Sequence, residues 1–305
     1  MKKLSVLYYP LSKDSAFVVE GLNRDNVEIV SLELRKKIIY KILYHLCLFL
    51  HFYKFAARFH FLNGTYFKLI GIENDLLFFD CCRISEYIVI TKLIRTGKKH
   101  LFLWNPLALN KLTPENIKKH LVKLKNNKVN IYTFDPADSV TYQLTLVKNV
   151  NRKYMPEIKP QIKQDFYFLG LPKNREPLLN EIKFKLNEKG YKTNFIIVNS
   201  KDDYISLEDN IVNSLQSLCI VDIISDMYQQ SGLTLRPLDA LFLQKKIITN
   251  CQSIVNYDFY HPNNIYIISD SLDGIDEFMK KPYFCIPENI VNQYEINYWI
   301  EQFIG

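Results

Sequence analysis

Apolar positions along the chain fall into short continuous runs rich in Val, Ile, Leu, Phe and Tyr, separated by stretches where they recur every three or four residues. The runs Leu4–Tyr9, Val27–Leu32, Asn74–Asp80, Lys99–Trp104 and Val129–Phe134 read as buried strands. Helical spacing over 84–96 stops at Gly97. A second helix opens at Thr113, where an N-cap residue precedes Pro114 and Glu115, and it runs to about Asn126. After an aperiodic stretch at 138–160, which holds Asn149, Asn151, Pro156 and Pro160, the alternation restarts. Strands are then predicted at Asp165–Leu169, Thr193–Val198, Cys219–Ile224, Lys246–Thr249 and Asn264–Ile268. Helices are predicted at Glu176–Glu188, from 231 to about 242, near 273–279 and over 288–304. Alternating strands and helices predict α/β layering on parallel sheets. The break predicts two Rossmann-like domains, 1–155 and 156–305, with 138–160 as their linker.

The segment 36–62 departs from this pattern. It is dense in Leu, Phe, Tyr and Ile, yet broken by Lys41, His45, His51, Lys54, Arg58 and His60. Its longest stretch free of Lys, Arg, Asp and Glu, Ile42–Tyr53, falls well short of the roughly 20 residues that cross a bilayer. Two readings stay open: a buried or half-buried helix of the first domain, or a helix lying on an anionic membrane surface with Lys and Arg on lipid phosphates.

Composition narrows the class. With 48% hydrophobic and 23% charged residues the chain is a folded protein. A net charge of +7 suits nucleic acid, an anionic membrane or phosphorylated substrates. No zinc-finger or RNP-type signature is present, so nucleic acid is not expected as a partner. The six cysteines show no CxxC spacing and read as free, buried thiols of a reducing compartment. The apolar start is cut at Pro10 before it reaches signal-peptide length. A cytoplasmic protein is expected, peripheral on the inner face of the cytoplasmic membrane if 36–62 is interfacial.

In open parallel sheets ligands gather beyond the carboxyl ends of the strands. The first half offers Asp80, Asn105 and Asp135 there. The second half offers Gly170 with Lys173 and Arg175, and the stretch Ser231, Gly232, Leu233, Thr234, Arg236 and Asp239. A glycine ahead of a helix lets a phosphate approach exposed N–H groups. Arg236 and Asp239, three apart, share one side of the first turn. A cation for phosphate beside a carboxylate for sugar hydroxyls suggests a nucleotide-sugar site. Each candidate also has a purely structural reading: turn glycines, solvated basic residues, a local Arg236–Asp239 pair, and strand-end caps at Asp80 and Asp135. No GxGxxG, GxxxxGK[ST] or GxSxG occurs. No Asp-x-Asp occurs either, so no divalent metal or other cofactor is expected, and Lys, Arg and N–H groups must neutralise a diphosphate.

The run Gly232–Asn250, with Arg236 and Asp239 inside it, resembles the donor signature of bacterial GT-B glycosyltransferases, and more narrowly those of lipopolysaccharide or capsule biosynthesis. Asp135–Asp138, Phe168–Gly170 with Lys173 and Arg175, and Tyr257–Asn264 fit the same pattern. The resemblance implies two domains facing a cleft, with a nucleotide-sugar donor held by the second and a glycan or glycolipid acceptor by the first. It places Asp239 where such enzymes carry a ribose-holding glutamate. It also implies Asp80 or Asp135 as the base of an inverting reaction. The partner glutamate of the usual pair is missing, since Ser231 and Gly232 fall there. A non-catalytic nucleotide- or partner-binding protein of the same fold is the alternative.

Overall fold

Local chemistry sets the element ends. Thr113 Oγ1 accepts the Asn116 N–H at 3.4 Å, Pro114 takes the first helical position, and the helix that follows buries Ile117, Leu121 and Leu124 along one stripe. The computed structural model describes residues 3–10, 13–80, 84–109, 112–157, 161–200, 205–225, 231–268 and 272–304. It divides the chain into two compact units, Met1–Lys148 with Ile296–Gly305, and Asn149–Glu295.

In the first unit β1 (Leu4–Tyr8), α1 (Lys13–Val19) and β2 (Val27–Ser31) are followed by three helices, α2 (Ile38–Phe49), α3 (Tyr53–His60) and α4 (Asn63–Ile70). Then come β3 (Asp75–Asp80), α5 (Ile84–Leu93), β4 (Lys99–Leu103), α6 (Pro114–Asn126), β5 (Val129–Thr133), α7 (Pro136–Tyr142) and β6 (Thr145–Leu146). The strands form one sheet in the order β2-β1-β3-β4-β5-β6, each neighbouring pair parallel. All residues of β1 and β4 are buried, Ser5, Lys99 and His100 included, as befits central strands of a parallel sheet.

The second unit carries β7 (Gln164–Gly170), α8 (Glu176–Glu188), β8 (Thr193–Ile197), α9 (Leu207–Leu215), β9 (Ser217–Asp222), α10 (Arg236–Phe242), β10 (Lys246–Thr249), β11 (Ile265–Ile267), α11 (Ile275–Lys280) and α12 (Glu288–Val291). Its sheet, again parallel, runs β11-β10-β9-β7-β8. Strand order reverses between β7 and β9. Lys245 and Lys246, between α10 and the body of β10, close two helix ends. The Lys245 ammonium donates to Leu215 O at 2.7 Å, and that of Lys246 to Phe278 O and Lys281 O.

Three expectations give way here. The stretch 138–160 is not a plain linker: the greater part of α7 and all of β6 lie in it, and Asn149, Val150 and Asn151 are buried in the second unit. The expected division at 155/156 compares with one after Lys148; residues 158–160 lie outside the described set. The segment 36–62 is two helices, broken where His51 takes a φ of 60°. The predicted helix over 288–304 is broken too. After α12 and a 3-10 turn the chain returns to the first unit as α13 (Ile296–Trp299) and a last 3-10 turn, Ile300–Phe303.

That return completes a core. Trp299 lies against Phe102 at 4.6 Å between ring centroids and reaches Phe79, while its indole N–H donates to Lys148 O at 2.9 Å. Phe303 packs edge-on against Tyr132 and His100. Asn297 ties the segment to Asn23, Arg24 and Gly21 through hydrogen bonds of 2.7, 2.8 and 3.1 Å. Trp299→Ala should therefore lower the unfolding free energy by about 3–5 kcal/mol, checked by urea denaturation.

Candidate functional site

Gly170 ends β7 and Asp222 ends β9, so the two residues stand at the reversal of strand order, where open α/β sheets place their ligands. Asp222 is 0% exposed. A carboxylate so placed needs partners on every lone pair. Thr234 Oγ1 donates to its Oδ1 at 2.8 Å, Arg236 Nη1 lies 3.3 Å from the same oxygen, and Thr249 Oγ1 donates to Oδ2 at 3.0 Å. Parallel pairing puts Thr249 directly opposite Asp222.

Around this carboxylate the cations gather. Arg236 Nη2 donates to Leu169 O at 2.7 Å. Arg175, the buried residue before α8, gives its Nε and Nη2 to Leu171 O and its Nη1 to Ile223 O. Both guanidinium carbons lie over the Phe168 ring, at 5.2 Å for Arg175 and 5.0 Å for Arg236. Gly170 makes this approach possible: a Cβ there would stand 2.5 Å from Arg236 Nη2 and 2.7 Å from Arg175 Nη2. Desolvation first, and the Arg236 charge second, lower the Arg175 pKa to about 10, so it stays charged at neutral pH. Lys173 sits in the same loop with a left-handed φ of 41°. It is exposed by surface area, yet partial desolvation, then repulsion from Arg175 and Arg236, holds its pKa below the ordinary lysine range. The Arg236 charge thus depresses both Lys173 and Arg175. A polyanion placed among them would relieve that repulsion.

The structure thus brings Gly170, Lys173, Arg175, Thr234 and Arg236 together, gives Phe168 of the same run the part of a shared platform for both guanidinium groups, and adds one residue that sequence reasoning missed, Asp222. A lone Asp in the run Cys219–Ile224 was the available signal, because a charge inside a buried strand demands a partner. Other expectations are redrawn. Helix α10 begins at Arg236, with Leu235 as its cap residue, so Ser231, Gly232, Leu233 and Thr234 lie in the loop ahead of it. Leu233 is buried and its carbonyl accepts Asn149 Nδ2 at 3.0 Å. Arg236 reaches back to Asp222, whereas Asp239 Oδ1 accepts Asn151 Nδ2 at 2.7 Å. Arg175 donates chiefly to backbone carbonyls, so what it offers a ligand is mainly charge.

In the first unit Asp80 ends β3, next to β1 where that sheet also reverses its order; its side chain lies outside the described residues. Asp135 is a buried helix cap, its Oδ1 accepting the N–H groups of Ala137 and Asp138 at 2.9 and 3.1 Å. Such a cap is poorly placed to take a substrate proton. Its neighbour Asp138 accepts Leu107 N–H at 2.6 Å. Desolvation, with a smaller contribution from the Asp135 charge, pushes the Asp138 pKa up to about 6 against the Leu107 hydrogen bond. Among the described residues, no three His, Cys, Asp or Glu side chains gather where they could hold a metal ion.

No family model matches the sequence, and no curated protein matches it. Solved structures do match in fold. HepE of Anabaena, crystallised with UDP, aligns at a TM-score of 0.52 and 10% identity over 98% of each chain. TarM aligns at a TM-score of 0.51 and 11% identity over 75% of this chain, which spans 54% of TarM's length. Both are GT-B glycosyltransferases, and the likeness establishes the GT-B fold for this chain.

Two outcomes follow. Asp222→Asn, which leaves the cations without their carboxylate, should destabilise the second unit by about 3 kcal/mol in denaturant titration, with added phosphate restoring part of the loss. Asp138 keeps its proton to about pH 6 in the folded chain but releases it near the ordinary carboxylate value when unfolded. Its contribution to stability is therefore complete at low pH and is lost as pH rises through 6. Asp138→Asn should flatten that decline when thermal midpoints are compared from about pH 4 to about pH 7.

Proposed function

We propose that this protein is a glycosyltransferase that moves a sugar from a nucleoside diphosphate sugar onto a growing bacterial surface glycan, a lipopolysaccharide, lipooligosaccharide or capsule. The observation that carries the reading is the convergence of Lys173, Arg175 and Arg236 on Gly170 and Asp222, where β7 and β9 reverse the strand order. The GT-B fold, shared with a protein crystallised with UDP, supports it. The diphosphate lies against Lys173 and Arg236, with the Arg175 charge behind them. As the bond from sugar to phosphate breaks, negative charge grows on the departing diphosphate, and cations already fixed by Phe168, Leu169 and Asp222 stabilise it without reorganising. No divalent metal takes part in this scheme. Asp80, at the first sheet's own order reversal, is the base we assign to the acceptor hydroxyl.

The Asn151–Asp239 hydrogen bond favours a second reading, a nucleotide-binding protein of the same fold without transfer activity, because it ties down the carboxylate expected on the ribose. Slow hydrolysis of a UDP-sugar by the purified chain separates the two.

UDP should raise the thermal midpoint, and chelator should leave the shift intact. Lys173→Ala alters an exposed side chain and should fold, whereas the methyl of Gly170→Ala, 2.5 Å from Arg236 Nη2, 2.7 Å from Arg175 Nη2 and 3.2 Å from the Phe168 ring, should displace both guanidinium groups at some cost in stability. Each, like Arg236→Ala, should weaken UDP by roughly tenfold or more in calorimetry. Unchanged affinity in all three variants would place the diphosphate elsewhere.

A further inference from the structure

Helix α2 turns its apolar side outward. Tyr44 and Cys47 face the core, while Ile38, Ile42, Leu46 and Phe49 follow at steps of three and four along the opposite side. Ile38 is 71% exposed and Phe49 80%. Helix α3 packs beside it and extends the face with Phe52 and Phe55, both exposed and 6.4 Å apart between ring centroids. Large apolar side chains grouped on a surface mark a place where something docks.

Charge identifies the occupant. From Arg35 to Ile72 the chain has seven Lys or Arg and no Asp or Glu, matching the net +7 of all 305 residues, so the remainder is balanced. Lys36, Lys37, Lys41, Lys54 and Arg58 are exposed around the apolar stripe. A second copy of this chain would press like charges together across such a face. A bilayer with anionic headgroups meets both chemistries: apolar side chains enter the acyl boundary, and ammonium and guanidinium groups reach lipid phosphates. Among the described residues no helix is long and apolar enough to cross a membrane, so the contact lies along the surface.

We infer that the outward face of α2 and α3 docks this protein on anionic lipid bilayers. This docking is independent of what the second unit binds. Flotation of the full chain with phosphatidylcholine vesicles, with and without about one-third phosphatidylglycerol, tests it at low and high salt. Binding to the anionic vesicles alone, weakened by salt, is expected. Ile38→Ser with Phe49→Ser changes only exposed side chains, so circular dichroism and thermal midpoint should hold while vesicle binding falls by roughly tenfold or more. Lys37→Glu with Lys41→Glu and Lys54→Glu should abolish the preference for anionic lipid. The inference is overturned if the wild-type chain stays unbound at both salt levels, or if both variants float like wild type. A dimer by light scattering that the serine variant dissolves, with no vesicle binding, would overturn it as well.

Discussion

A carboxylate sealed in a sheet interior must be answered by donors on every side, and Asp222 imposes that demand on the whole carboxyl edge of the second sheet. Thr249 answers from the neighbouring strand in register, and Thr234 and Arg236 answer from the loop and helix that follow β9. Those bonds fix where α10 begins. With Arg236 drawn over the end of β7, only a residue without a Cβ fits at 170, and Arg175 arrives from the next loop over the same aromatic ring. The positive field at this edge is thus a consequence of one buried negative charge. Remove that charge and the cations have every reason to part.

How much of this was legible depended on whether the signal was local. Helix Glu176–Glu188 and strand Lys246–Thr249 match their expected bounds residue for residue, because the first has a full amphipathic stripe and the second a β-branched run between clear breaks. The cap at Thr113 was equally plain. Asp222 is hidden inside the apolar run Cys219–Ile224, whose pattern marks a uniform strand, whereas the strand stops at Asp222, where Thr234 and Arg236 meet it. The partner of Arg236 lay fourteen residues away rather than three, in a contact that no helical spacing encodes. Gly232 suggested a helix start, but the chain needed four more residues, held by Asn149 and Asp222, before α10 could begin.

The segment 36–62 shows the opposite limit. Its composition announced an unusual surface, while the left-handed turn at His51 that splits it is set by packing, with Ala56 and Ala57 giving α3 a small buried face. The aperiodic stretch before the second unit hid order in a similar way, since a seven-residue helix and a two-residue strand are too short to show a period. Asp135 and Asp138, three residues apart, have separate tasks that only their hydrogen bonds distinguish.

The return of Ile296–Phe303 to the first unit makes that unit discontinuous in sequence, with the whole of the second unit inserted between its parts. On the ribosome, the first sheet can form early, but Phe79, Phe102 and Tyr132 lack their cover until Trp299 and Phe303 emerge. At ordinary elongation rates the intervening stretch takes roughly ten seconds or more to synthesise. The second unit, continuous in the chain, can reach its native core in that interval. Vectorial synthesis therefore lets the inserted unit finish first and leaves the unit that was begun first with an open aromatic flank, the stage at which chaperones would find this nascent chain.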